Sequence, residues 1–185
     1  MMAPAEFDKI VTKLKDKLYR FSLQILKEKE DAEDIVQETF LKLWAAGEGL
    51  QKVKNLEAYS MTMARNLSLD LIRSGQLKRD KLKELRIEKE ADNEEKKVEQ
   101  KDATEKVRSI IETLPETQRL VMHLRDVEEM EFEEIATVME MNPNAIRVNL
   151  SRARKHVRDE LEKKYHLSFF YITFTCYTCR NGIVK

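Results

Sequence analysis

The apolar positions of this chain recur at helical spacing in six stretches. Phe7, Ile10, Val11, Leu14, Leu18, Phe21 and Ile25 form one stripe of a long amphipathic helix. A second helix is predicted from Asp31 to Trp44, with Ala32, Ile35, Val36, Phe40, Leu43 and Trp44 mostly on one side and Gly47 and Gly49 ending it. A third runs from about Leu56 to Ser74, where Tyr59, Met63, Leu67 and Leu71 fall in line. These three read as one small bundle.

The pattern then lapses. Residues 76–107 carry ten Lys or Arg and ten Asp or Glu, with few large apolar side chains. Such a stretch cannot bury a core of its own and reads as a charged linker, helical in parts because it lacks Gly and Pro. Periodicity returns afterwards. Thr113-Leu114-Pro115-Glu116 has the T-x-x-E form of a capping box, followed by Leu120, Val121 and Leu124. Phe132, Ile135, Ala136 and Met139 come next. Asn142-Pro143-Asn144 signals a turn, and Ile146, Leu150, Ala153, Val157 and Leu161 form the inward row of a longer helix. A short helix, a tight turn and a second amphipathic helix make a helix-turn-helix. The expected fold is therefore all-α: two small helical domains, 1–75 and 108–165, joined by the 76–107 linker, with a tail at 166–185.

Charge sharpens this picture. The whole chain is neutral, with 34 Lys+Arg against 34 Asp+Glu. Yet residues 144–158 hold Arg147, Arg152, Arg154, Lys155 and Arg158 and no acid, whereas Glu128, Glu129, Glu131, Glu133 and Glu134 crowd the segment before them. Cations on the exposed face of a second helix, with a few side chains near its start placed to touch base edges, suit a recognition helix that also neutralises phosphates. Asn144, Arg147, Val148, Ser151, Arg152, Arg154, Lys155 and Arg158 are the candidate DNA contacts.

Three stretches then carry a family resemblance: DAEDIVQETFLKLW (31–44), ARNLSLDLIRS (64–74) and the long segment 114–161. In that order, with a charged linker between the second and third, the chain resembles bacterial RNA polymerase sigma factors of the extracytoplasmic-function group. The resemblance implies core RNA polymerase and promoter DNA as partners and admits an anti-sigma factor as a third. It implies that 31–44 binds polymerase, that 64–74 meets the −10 element and that the last segment reads the −35 element. Asp34, Gln37, Glu38 and Lys42, with Leu41, form the expected polymerase-binding strip. Tyr59, Arg65, Asn66, Asp70 and Arg73 are the −10 candidates. Asn66 and Arg73 can hydrogen-bond bases and phosphates, whereas Asp70 either accepts from a base amino group or orients Arg73. Tyr59 stacks on an unpaired base or packs in the core.

Two positions depart from the family pattern. Tyr59-Ser60-Met61 stands where relatives often have an aromatic-leucine pair, and Glu140 stands before the turn where Gly is common. Glycine reaches positive φ at low cost, so Glu140 implies a different turn or strain.

Other classes fare worse. No Gly-rich phosphate loop, nucleophile elbow or HExxH is present, so no enzyme and no cofactor is expected. A helix-turn-helix operator-binding regulator accounts for the C-terminal segment but leaves 31–44 and 64–74 unexplained, and a structural helical adaptor leaves the basic face unexplained. The N-terminus lacks the apolar core of a secretory signal, and no run reaches the roughly 18 apolar residues of a membrane helix, so a cytoplasmic location is expected. The tail contains a strand-like run from Phe169 to Tyr177 and a single Cys176-x-x-Cys179. With His123, His156 and His166 scattered, two reduced thiols are expected rather than a zinc site.

Overall fold

The computed structural model describes residues 4–83 and 103–165. Most of the charged stretch and the whole 166–185 tail, with its strand-like run and CxxC, lie outside the described residues. The chain divides into two compact units, 1–95 and 96–185. Among the described residues all regular structure is helical, as the sequence pattern predicts.

The first unit contains α1 (Pro4–Leu26), α2 (Lys29–Ala46) and α3 (Leu56–Lys83), each packed against the other two. Leu14, Leu18, Phe21 and Ile25 of α1 are buried, as are Ala32, Ile35, Val36 and Leu43 of α2. Leu18 and Phe21 are fully enclosed, and each such side chain contributes about 1.5–3 kcal/mol by leaving water. The helix ends have local causes. The Glu28 carboxylate accepts from the Lys29 N–H at the start of α2. Gly47, at φ 48°, closes α2 and leads into a short 3-10 segment, Gly47–Lys52. Asn55 accepts from the Ala58 N–H at 3.0 Å and caps α3.

The third helix differs from its sequence pattern in two ways. It continues past Ser74 and through Gly75 to Lys83, in a sequence free of proline. Its buried face is Ala58, Ser60, Met61, Ala64 and Ser68, not the Tyr59–Met63–Leu67–Leu71 line, of which Tyr59 is 40% exposed and the other three are half-buried. Every-fourth spacing advances about 40° per step on an α-helix, so that line starts outside and drifts toward the core. The small buried residues let the backbone of α3 lie close to its neighbours, and Ser60 and Ser68 satisfy their hydroxyls on the Leu56 and Ala64 carbonyls.

The second unit contains α4 (Ala103–Glu112), α5 (Glu116–Met122), α6 (Phe132–Met139) and α7 (Pro143–Tyr165), with a π-helical turn, His123–Val127, after α5. Helices α4, α5 and α6 all pack on α7. The row read from the sequence is the buried one: Ile146, Leu150, Ala153, Val157 and Leu161. Ile110 and Leu114 join Ala153, Val157 and Leu161 in one cluster, with Val107 and Ile111 packed against it.

The expected capping box at Thr113–Glu116 does not form. Pro115 is the N-cap of α5 and the Thr113 hydroxyl donates backward to the Ile110 carbonyl at 2.7 Å. The reciprocal box stands instead at α6, between Glu131 and Glu134. Glu128, one of the five acids in the segment before the basic stretch, is buried, with its Oε1 3.2 Å from His123 Nε2.

Candidate nucleic-acid interface

Glu140 ends α6 in the left-handed region at φ 54°, ψ 43°. Its N–H reaches the Thr137 carbonyl and the Met141 N–H reaches the Ala136 carbonyl at 3.0 Å, the two bonds of a Schellman turn. The tight turn that a glycine would favour is thus made here by a glutamate. Asn142 then accepts from the Asn144 N–H at 2.8 Å, and Pro143, which has no N–H to lose, opens α7. This pins the start of α7 next to α6.

All eight candidate positions on α7 are exposed: Asn144, Arg147, Val148, Ser151, Arg152, Arg154, Lys155 and Arg158. They do not share one environment. Taking about 100° per residue, Val148 and Lys155 project opposite the buried row, with Ser151 and Arg152 on either side. Arg147, Arg154 and Arg158 lie at the rim, nearer the neighbouring helices. There the acidic segment meets two of them. Arg154 makes a two-pronged contact with Asp126, a carboxylate only 13% exposed. Arg147 lies 4.8 Å from the Phe132 ring centroid, with one nitrogen 3.2 Å from Asn144 Oδ1 and another 3.5 Å from Glu133. Farther along α7, the Lys164 ammonium hydrogen-bonds Glu160 at 3.0 Å and holds that carboxyl below its ordinary pKa. The pairings to Asp126 and Phe132 were not legible in the sequence, because the partners are far apart along the chain.

On α3, Tyr59, Asn66, Asp70 and Arg73 stand at i, i+7, i+11 and i+14 and therefore share one face, opposite the buried Met61 and Ala64. All four are exposed; core packing is not the role of Tyr59. Arg73 Nη1 lies 3.4 Å from Asp70 Oδ1. Arg65 is half-buried at the edge of this face, 3.4 Å from Asn66 Oδ1. An exposed phenol ring above amide and guanidinium groups offers a stacking surface and hydrogen-bond donors on one side of one helix.

On α2, Asp34, Gln37, Glu38, Leu41 and Lys42 are all exposed, and Glu38 pairs with Lys42 at 3.1 Å. Leu41 is 64% exposed in the middle of this polar strip. Trp44, placed on the inner side by the sequence pattern, is 41% exposed and leans edge-on against Phe7 at 4.9 Å. It extends the apolar part of the strip by one turn. Among the described residues no group of His, Cys, Asp and Glu is arranged to hold a metal ion, and no helix is long and apolar enough to cross a membrane.

Two family models match the chain. Sigma-70 region 2 matches residues 10–77, and sigma-70 region 4 matches residues 104–157. SigE of Mycolicibacterium smegmatis, an extracytoplasmic-function sigma factor, is 27% identical over 164 residues, covering 87% of this chain and 63% of SigE. The probable sigma factor RfaY of Xanthomonas campestris is 28% identical, over 86% of this chain and 41% of its own length. The chain thus spans less than two thirds of either relative. SigV of Bacillus subtilis is 27% identical, with 83% of this chain and 90% of SigV covered. The sigma factor RpoE of Bartonella quintana, solved with the anti-sigma factor NepR, superposes with a TM-score of 0.67 at 21% identity, over 86% of this chain and 98% of RpoE. CnrH, solved with the cytosolic domain of CnrY, gives 0.61 at 19% identity, over 88% and 91% of the two chains. At these identities the two structures show a shared fold. With region 2 falling on α1–α3 and region 4 on α4–α7, in the family's order, the chain belongs to the sigma-70 family, in its extracytoplasmic-function group.

Proposed function

We propose that this protein binds core RNA polymerase, directs it to a class of promoters and helps open the duplex there. The outer strip of α2 (Asp34, Gln37, Glu38, Leu41, Lys42) meets the polymerase. The outer face of α3 (Tyr59, Asn66, Asp70, Arg73, with Arg65 beside it) takes the −10 element, where separated strands expose bases for stacking. The exposed face of α7 takes the −35 element, with Arg147, Val148, Ser151 and Arg152 in the first turns near base edges and Arg154, Lys155 and Arg158 near phosphates. The polymerase supplies the chemistry, and no catalytic step is assigned to this chain. An anti-sigma factor is a further partner of the same proposal, on the strength of family membership.

One observation carries the reading. A single chain presents two separate faces suited to nucleic acid, an exposed Tyr-Asn-Asp-Arg row on α3 and an acid-free face on α7, each within its family region. Reconstitution tests it. The chain should co-elute with core polymerase and confer initiation from selected members of a randomised promoter library in run-off transcription. DNA binding without polymerase retention would make the chain an operator-binding regulator instead.

A further inference from the structure

Phe132 is the first residue of α6 and has no part in the promoter contacts proposed above. Its ring is half-buried and serves two guanidinium groups. The Arg147 carbon lies 4.8 Å from the ring centroid and the Arg125 carbon 4.9 Å. Arg125 belongs to the fold: it donates to the Met130 carbonyl at 2.7 Å, pairs with Glu131 at 3.2 Å and has a side chain only 27% exposed. Arg147 faces outward, with a side chain 48% exposed.

We propose that Phe132 is a positioning residue for promoter readout: its ring fixes the plane of the Arg147 guanidinium so that the hydrogen-bonding edge points at a guanine. This rests on the −35 reading of α7. The chemistry follows from the shape of the group. A cation–π contact uses the flat face of a guanidinium and leaves its N–H donors, which lie in the plane, available at the edge. In the free protein two of those nitrogens face Asn144 Oδ1 and Glu133 Oε1, both on exposed residues. The O6 and N7 acceptors of guanine can replace them without moving the stacked face. Arg125, anchored by the Met130 carbonyl, holds the ring in turn. An arginine side chain loses substantial rotamer freedom on binding, and one already stacked loses less. Lysine at position 147 would have neither the flat face nor the paired donors.

The test compares full-length variants bound to core polymerase on promoters randomised across the −35 element. Phe132→Leu should lower discrimination for guanine at one base pair by about twofold to fivefold, the range of an exposed cation–π contact. Preference at other positions should be kept. Phe132→Tyr, which retains the ring, should behave as wild type. Arg147→Ala should lose the same discrimination, and adding Phe132→Leu to it should change nothing more. If Phe132→Leu fails to fold by thermal melting, Phe132→Met, whose longer unbranched side chain adapts to irregular space and has no π face, takes its place. A uniform loss across all promoters, or none, with the Arg147→Ala effect intact, would overturn the proposal and leave the −35 reading standing. Discrimination untouched by Arg147→Ala would overturn both the stack and the part of Arg147 in reading the promoter.

Discussion

Replacing Glu140 with glycine should stabilise the C-terminal unit. Glu140 holds φ 54° and ψ 43°, where an L-residue brings its Cβ close to a carbonyl oxygen at a cost of roughly 1–2 kcal/mol. Glycine removes that cost but adds freedom to the unfolded chain, worth about 0.5–1 kcal/mol in the opposite direction. The exposed carboxylate contributes at most the fraction of a kcal/mol typical of surface contacts. The balance is a gain of about 0.5–1 kcal/mol. For a unit of this size, that corresponds to a rise in Tm of about 2–8 °C. Differential scanning calorimetry of the full chain reads the shift, and hydrogen exchange across α6 and α7 assigns it to this unit. Glu140→Ala is the control, because it removes the carboxylate and keeps the Cβ. Alanine should not stabilise. Equal shifts for glycine and alanine would locate the effect in the side chain, and a lower Tm for glycine would refute the backbone-strain argument outright.

Three further outcomes are expected. Changing Asp34 and Glu38 together to Lys should weaken retention of core polymerase while circular dichroism shows unchanged helicity, since both side chains are exposed on α2; undiminished retention would mean that the strip is merely solvated. Arg152→Ala should alter which −35 sequences are selected, at a cost of about 1–3 kcal/mol per lost base contact, whereas Arg158→Ala should weaken all sequences alike and flatten the salt dependence by about one unit. Asp126→Asn removes the carboxylate that competes with phosphate for the Arg154 guanidinium; it should lower Tm slightly and tighten binding to all −35 sequences alike. Unchanged affinity would show that Arg154 serves the fold alone.

Sequence by itself determined most of what depends on helix geometry. The row Ile146, Leu150, Ala153, Val157 and Leu161 was legible because every helix turns at the same rate, and all five are buried. The outward placement of the cations on α7 follows from the same rule. The turn before α7 was legible in outline, from Asn142 and Pro143, because both act on the backbone next to them. What failed locally failed through competition. At Thr113 the hydroxyl found the Ile110 carbonyl first, and Pro115 took the capping position, whereas an Asn or Ser signal was absent at Glu131, where the reciprocal box formed.

Only the tertiary structure decided which face of α3 is inside. Its apolar residues are not confined to one side, and the choice went to Ala58, Ala64 and Ser68 because close approach to α1 and α2 favours small side chains over large ones. That choice turned Tyr59 outward, onto the row of Asn66, Asp70 and Arg73. The tertiary structure also decided the state of each cation. Arg154 and Asp126 are 28 residues apart, and Arg147 meets an aromatic ring from another helix. A pattern along one helix records the direction in which a side chain points. Whether a carboxylate, an aromatic ring or water waits there depends on chain segments folded in from elsewhere, and no local periodicity encodes that.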